Sequence, residues 1–133
     1  MDKLEYIPGD FISVYVGVKK YIVEVIGTEN ENEVLSYQIK FPNGEIQYAD
    51  KDNIVPIPLT PEILEKNGWK NDGYDWYKLP TKRAYLYITK DIITLGEFLV
   101  CVGLDRHNLA SINFVHQLQH IFFSLNINHK MEV

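Results

Sequence analysis

The stretch Leu35-Ser36-Tyr37-Gln38-Ile39-Lys40-Phe41-Pro42-Asn43-Gly44-Glu45-Ile46-Gln47-Tyr48 decides the fold of the first half of the chain. Apolar and polar residues alternate from Leu35 to Phe41, which is typical of a strand with one buried face. Asn43 and Gly44 tolerate positive φ angles, so they predict a type I′ turn. The residues after the turn return antiparallel, and the whole stretch is therefore predicted to be a β-hairpin.

Three more strands are predicted around this hairpin. They are residues 11–16, 21–26 and 54–55, separated by turn residues such as Gly17 and Gly27. Five short strands within about fifty residues are too few for an ordinary sandwich. A small closed or half-closed barrel would bury one face and cover the strand edges. We therefore predict a five-stranded β-barrel over residues 1–56.

The second half begins with a short helix and ends with a longer one. Thr60 is placed to N-cap the first helix, Pro61 suits its first position, and Asn67-Gly68 predicts its end. Strands are predicted at residues 74–79, 84–88, 92–95 and 98–102. A final helix is predicted from the N-cap Asn113 to Asn126. Its apolar face comprises Phe114, Val115, Leu118, Ile121, Phe122 and Leu125, with Asn113, His116 and His120 on the opposite face.

The two halves define the predicted domain organisation and fold class. Prolines 56 and 58 make a short, stiff join, because each restricts itself and the residue before it. Residues 57–133 are predicted to form an α+β subdomain in which the final helix packs on an antiparallel sheet. The fold class is therefore α+β: a small barrel, then a short helix, an antiparallel sheet and a C-terminal helix.

Charge and composition restrict the function and the compartment. The 133 residues carry 13 Lys+Arg and 18 Asp+Glu, and residues 1–56 alone hold five Lys against ten Asp+Glu. An acidic barrel disfavours nucleic acid as a partner, because that binding draws on cations placed against phosphates. One cysteine, no leader-like start and no apolar run of about 20 residues predict a cytoplasmic protein without a membrane span.

No catalytic or metal-binding pattern stands out. His116 and His120 have the spacing of two metal ligands, with His107 or His129 as a third, but the Glu of an HExxH motif is missing. Cys101 and His107 resemble a thiolate and its base, yet Cys101 lies in an apolar run that predicts a buried thiol. We therefore predict no catalytic residue, no metal and no cofactor.

Aromatic residues concentrate in the second half and suggest a contact surface. Both faces of the strand at residues 74–79 carry aromatic side chains, but only one face can look into a core. Exposed Tyr and Trp often anchor protein interfaces. The alternative is that they cover a thin core. The predicted surface comprises Trp69, Tyr74, Trp76, Tyr77, His116 and His120.

Two resemblances refine these predictions. Gly9-Asp10-Phe11-Ile12, the glycine-containing hairpin, Asn43-Gly44 and Ile54-Val55-Pro56-Ile57 resemble the strand order of an SH3-like barrel of the KOW or Tudor kind. Residues 56–69 together with Phe114-Val115-His116-Gln117-Leu118-Gln119-His120 resemble small uncharacterised proteins of gut bacteria and their prophages or mobile elements. In that family Phe is usual at Trp69 and Asn at His120. No activity is assigned to the family, so the resemblance implies a fold and a genomic setting.

Sequence alone leaves three hypotheses for the function. The first is a noncatalytic binding or adaptor module that acts through protein contacts, in a phage or mobile-element context. The second is a nucleic-acid-associated protein, because KOW-like and Tudor-like barrels serve nucleoprotein machinery and aromatic side chains can stack on bases. The third is a small enzyme, which would need His116, His120 and a carboxylate to converge in a pocket.

Overall fold

The structure, a computed structural model, describes residues 6–31, 34–71, 76–80, 85–90, 98–103, 107–127 and 130–133. The described residues form a mixed α+β protein with two five-stranded antiparallel sheets and two α-helices. The chain divides into two compact units. Unit 1 combines residues 1–57 and 114–131, and unit 2 combines residues 58–113 and 132–133. The predicted α+β class is confirmed.

The sheet of unit 1 is a meander whose last strand returns to the first. Its strands are β1 (Phe11–Val16), β2 (Lys19–Glu31), β3 (Val34–Lys40), β4 (Ile46–Asp50) and β5 (Ile54–Val55), in the order β4-β3-β2-β1-β5. A 3-10 turn over Lys51–Asn53 precedes β5. Closure into a barrel is not confirmed. In the described residues β4 pairs with β3 alone and β5 pairs only with Ser13 and Val14, so the sheet keeps two edges.

The central hairpin forms as predicted, but its turn is of a different type. Gly44 N–H donates to the carbonyl of Phe41 at 2.9 Å, and Phe41 N–H donates to the carbonyl of Glu45 at 2.8 Å. Gly44 has a φ of 91°, whereas Asn43 does not have a positive φ. The predicted type I′ turn is therefore wrong. Pro42 fixes a negative φ at the first central position, which favours a type I turn followed by a left-handed residue.

Alternation along the strands builds the core of unit 1. Its fully buried side chains include Ile12 and Val14 of β1, Val23 and Val25 of β2, and Ile39 of β3. These apolar side chains come from alternate positions of each strand, and Ser13, on the other face of β1, is buried as well. The rings of Tyr6 and Tyr37 meet edge to face at 5.3 Å in the same cluster.

Unit 2 consists of a short helix and the second sheet. Helix α1 spans Pro61–Lys66, and the strands are β6 (Lys70–Asn71), β7 (Trp76–Pro80), β8 (Tyr85–Lys90), β9 (Phe98–Val102) and β10 (His107–Ile112), in the order β10-β9-β8-β7-β6. The predicted strand at residues 92–95 lies outside the described residues. Strands β6 and β10 are not predicted by the sequence pattern, since neither shows a clear run of apolar residues at alternate positions.

The ends of α1 confirm the predicted capping. Thr60 Oγ1 accepts a hydrogen bond from Ile63 N–H at 3.3 Å. Gly68 has a φ of 89°, and the N–H groups of Gly68 and Trp69 bond back to the carbonyls of Glu65 and Leu64. This is the paired bonding of a Schellman C-terminus, which explains how so short a helix ends cleanly.

Helix α2 spans Val115–Ser124 and lies against β1 in unit 1. The sequence pattern places this helix in the subdomain at residues 57–133, whereas the structure groups it with unit 1. Its N-cap is Phe114, one residue after the predicted Asn113, and Phe114 N–H donates to Gln117 Oε1 at 3.0 Å. The sequence could not show which sheet the helix contacts, because an apolar helix face fits either one.

Candidate functional site

The start of β1 is held by a buried glutamine of α2. Gln119 is fully buried, and its Nε2 donates to the carbonyl of Gly9 at 2.8 Å. Its Oε1 accepts from Phe11 N–H at 2.9 Å. The side chain thus satisfies a backbone acceptor and a backbone donor on either side of Asp10, as buried polar groups require.

Asp10 makes a second link between the same turn and α2. Pro8 and Gly9 form the turn itself, with Gly9 at a φ of 98°. Asp10 Oδ2 accepts from Ile7 N–H at 2.9 Å and lies 2.6 Å from His120 Nε2. The Asp10 side chain is fully buried, and its Oδ1 has no hydrogen-bond partner among the described residues. A buried carboxylate needs such donors, because desolvation of its charge is costly.

His116 is buried beside this pair. Its ring centroid lies 4.9 Å from that of Tyr6, 5.9 Å from that of Phe114 and 5.5 Å from that of His120. The prediction that His116 occupies the exposed face is therefore wrong. The buried residues of α2 are Val115, His116, Leu118, Gln119 and Phe122. At 100° per residue, this face is rotated by about 70° from the apolar arc, toward Gln119 and His116.

The two histidines and a carboxylate do converge in space, which is the condition for the enzyme hypothesis. However, Asp10 and His116 are both buried, and only His120 reaches the surface. No three His, Cys, Asp or Glu side chains of the described residues are arranged to hold a metal ion. The contacts of Asp10, Gln119 and His120 join α2 to the turn before β1.

The other end of β1 borders an open groove. The groove encloses about 200 Å³ and is lined by Val14, Tyr15, Val16, Ile39, Phe41, Gln47, Tyr48, Ala49 and Asn53. Buried Val14, Ile39 and Ala49 belong to the core of unit 1. Tyr15 and Tyr48 are 49% and 59% exposed. The open groove therefore combines core residues with exposed aromatic side chains from two different strands.

Exposed apolar residues continue from the open groove to the tip of the β1-β2 hairpin. Val16 is 49% exposed and Val18 is 97% exposed. Gly17 supplies the positive φ of 66° that this two-residue loop needs at its first position. Tyr21 follows the tip, and its ring meets that of Phe41 edge to face at 5.7 Å. Contiguous apolar exposure of this kind marks an interaction surface more often than isolated apolar residues do.

Acidic residues flank the open groove on the β4 side. Glu45, Asp50 and Asp52 are all exposed, with Lys51 the cation among residues 45–53. Gln47 Nε2 donates to Glu45 Oε1 at 3.0 Å, which fixes one of these side chains near the groove. Lys19 and Lys20 stand opposite Val16 and Tyr15 in the β1-β2 register. The β4 side is thus acidic, and the hairpin side is basic.

The predicted aromatic surface is placed differently. Trp69 is buried in unit 2 and is therefore not part of an outer surface. Trp76 and Tyr77 are half-buried, and the ring of Trp76 meets that of Tyr87 edge to face at 6.3 Å. Tyr74 lies outside the described residues. His116 and His120 belong to unit 1, so these six residues do not form one cluster within either unit.

Sequence reasoning missed the residues of the open groove. Tyr15 and Tyr48 of the groove lie in strands that the sequence predicted, and Val18 lies at the predicted turn beside it. One sign of this surface is present in the sequence, because Val18 is an apolar residue at a predicted turn. The approach of β4 to β1 depends on the curvature of the sheet, which the alternation of apolar residues does not predict.

The remaining candidates are Cys101 and His107. Cys101 is buried in β9, as predicted. His107 begins β10, opposite Val102 in the strand register, and its side chain lies outside the described set. No helix within the described ranges is long and apolar enough to span a bilayer.

Comparison with known proteins gives no further assignment. No family model, curated protein or solved structure matches the chain. A function for the protein therefore has to be inferred from the geometry of the open groove and of the Asp10-His120 pair.

Proposed function

We propose that the protein is a noncatalytic binding module that recognises another protein through the open groove of unit 1. The observation that carries the proposal is the pairing of exposed Tyr15 and Tyr48 across a groove with an apolar floor. Tyr is enriched in binding sites because it buries a large area and retains a polar group. The aromatic residues of unit 2 remain a second predicted surface, and the described ones, Trp69, Trp76 and Tyr77, are less exposed than Tyr15 and Tyr48.

The proposal includes an SH3-like topology for unit 1. The strand order β4-β3-β2-β1-β5 and the 3-10 turn before β5 support it. An open sheet of this kind leaves a gap between β4 and β1, and the open groove lies in that gap. The resemblance to gut-bacterial and prophage proteins stays a prediction about the genomic setting.

The test is selection of peptide ligands. A library of random 12-residue peptides displayed on phage is panned against the wild-type protein, and the enriched peptides are measured by fluorescence anisotropy. Tyr48→Ala should weaken their binding at least tenfold. Phe123→Ala is the matched control, because Phe123 is also an aromatic residue of unit 1 with 59% exposure. It should change the Kd less than twofold.

Two results would contradict the proposal. One is a library that yields no peptide with a Kd below about 100 μM. The other is equal loss of binding in both variants. Random single-stranded DNA and RNA are titrated in parallel across a salt series. Tight binding with a steep loss in salt would favour the nucleic-acid hypothesis instead.

A further inference from the structure

The open groove is bordered on both sides by strand edges. β4 pairs with β3 along one edge, and its other edge has no strand partner in the described part of the chain. β5 pairs with β1 only at Ser13 and Val14. The β1 edge beside Tyr15 and Val16 is therefore also open within the described ranges. Backbone N–H and C=O groups on such edges can pair with an added strand.

β4 lacks the usual protection of an edge strand. Natural edges are blocked by proline, lysine, a bulge or a charge that points inward. The residues of β4, Ile46-Gln47-Tyr48-Ala49-Asp50, include no proline or lysine, and their pairing with β3 is regular. Ile46 and Tyr48 are exposed, and Asp50 is the charged residue at the end of the strand. This edge is consistent with a strand that receives a partner.

Charge decides between the candidate partners. A second copy of the chain would bring an identical β4, with Glu45, Asp50 and Asp52, against the same three residues. Residues 1–56 as a whole carry ten Asp+Glu and five Lys. Like charges on paired strands are destabilising, whereas opposite charges are favourable. Glu45, Asp50 and Asp52 outnumber Lys51, so β4 and its flanks favour a cationic segment over a second β4, although Lys19 and Lys20 make the hairpin side of the groove basic.

We propose that β4 receives an extended, cationic segment of a partner protein as an added strand. The segment alternates apolar and basic side chains, with the apolar ones in the open groove and the basic ones near Asp50 and Asp52. Main-chain hydrogen bonds to β4 hold the segment, and the groove selects its side chains. The inference rests on the proposed function, since it names the class of partner for the same groove.

The test uses synthetic peptides of defined chemistry. One is a blocked ten-residue peptide of alternating Val and Lys, and its counterpart alternates Val and Glu. Two further versions of the Val-Lys peptide carry N-methyl groups on every second residue. One is methylated at the odd-numbered residues and the other at the even-numbered residues, so each version lacks the N–H donors along one of its two edges. Affinity is measured by fluorescence anisotropy, and amide hydrogen exchange is followed at Ile46–Asp50.

The Val-Lys peptide should bind at least tenfold more tightly than the Val-Glu peptide. One of the two N-methylated versions should lose at least tenfold in affinity, and exchange at Ile46–Asp50 should slow on binding. The double variant Asp50→Lys, Asp52→Lys should reverse the preference between Lys and Glu peptides. The matched control Glu62→Lys, Glu65→Lys makes the same charge change on α1 of unit 2 and should preserve the preference.

Four results would overturn the inference. They are equal binding of the Lys and Glu peptides, full binding of both N-methylated versions, unchanged exchange at Ile46–Asp50 on binding, and a dimer in sedimentation equilibrium that Tyr48→Ala dissociates. If the phage-selected peptides bind at Tyr48 while the Val-Lys peptide does not, the proposed function stands and this inference falls. If neither class of peptide binds, both fall.

Discussion

The two ends of β1 are built in opposite ways. At the first end, Gln119 and His120 of α2 reach the turn before Phe11 and satisfy its buried polar groups. At the second end, the strand runs into Tyr15, Val16 and Val18, whose apolar side chains are exposed. One strand therefore joins a hydrogen-bonded junction around buried Asp10 and Gln119 to an open apolar surface.

This difference predicts that residues at the first end of β1 determine stability and residues at the second end determine binding. Polar groups buried at the first end must keep their partners, so substitutions there should change the free energy of unfolding. Exposed residues at the second end contribute little to folding and are available for contact. If this division holds, variants at the first end will lower stability, whereas variants at the second end will lower ligand affinity and leave stability nearly unchanged.

The largest effect is expected for Gln119→Leu. The substitution leaves the part-buried carbonyl of Gly9 and N–H of Phe11 without this partner. Each unsatisfied group costs about 1–3 kcal/mol, so the free energy of unfolding should fall by about 2–5 kcal/mol. Urea unfolding followed by circular dichroism measures it. Gln47→Leu is the matched control, because Gln47 is exposed, and it should change the free energy by less than about 0.5 kcal/mol.

Gln119 also shows what the sequence could and could not reveal. Alternation located β1 to β5, and the capping residues Thr60 and Gly68 fixed both ends of α1. These features are local, so a single stretch contains all the information. The role of Gln119 depends on contacts with Gly9 and Phe11, more than a hundred residues away. A helix face that is predicted from apolar residues alone leaves Gln119 in solvent. For the same reason, the predicted buried face of α2 excluded His116.

The open groove was out of reach for a related reason. Tyr15 and Tyr48 are distant in sequence and lie on strands that do not pair with each other. They line one groove because the sheet curves, and curvature depends on the twist of all its strands. The irregularity in the β2-β3 register between Val25 and Gly27 adds to this bend. Local patterns predict the strands but not the gap between them.

A smaller loss of stability is expected for His120→Ala. His120 is 33% exposed, and its Nε2 contacts the buried carboxylate of Asp10 at 2.6 Å. A hydrogen bond to a charged group contributes about 1.5–3 kcal/mol when buried, and water can replace part of it here, so we expect a loss of about 1–2 kcal/mol. His120→Gln retains a donor and should lose less. A double-mutant cycle with Asp10→Asn measures the coupling, and a coupling near zero would contradict the link.

Gly44→Ala tests the turn that supports the open groove. Gly44 has a φ of 91°, and a Cβ added there would meet no atom within 4 Å. The cost is therefore confined to the backbone, and a left-handed conformation in a non-glycine residue costs roughly 1–2 kcal/mol. Gly44→Asn should cost less, because Asn tolerates this region better. Equal urea midpoints for Gly44→Ala and the wild type would show that the turn can change conformation without loss.

The smallest effect on stability is expected at the hairpin tip. Val18 is 97% exposed, so Val18→Ser should change the free energy of unfolding by less than about 0.5 kcal/mol. If the tip is part of the binding surface, the same variant should weaken the phage-selected peptides at least threefold, because it removes apolar area that a bound partner would cover. Val34→Ser is the matched control. Val34 is also an exposed valine of unit 1, but it begins β3 at the far end of the sheet. Equal peptide affinity in the two variants would restrict the binding surface to the groove itself and remove the tip from it.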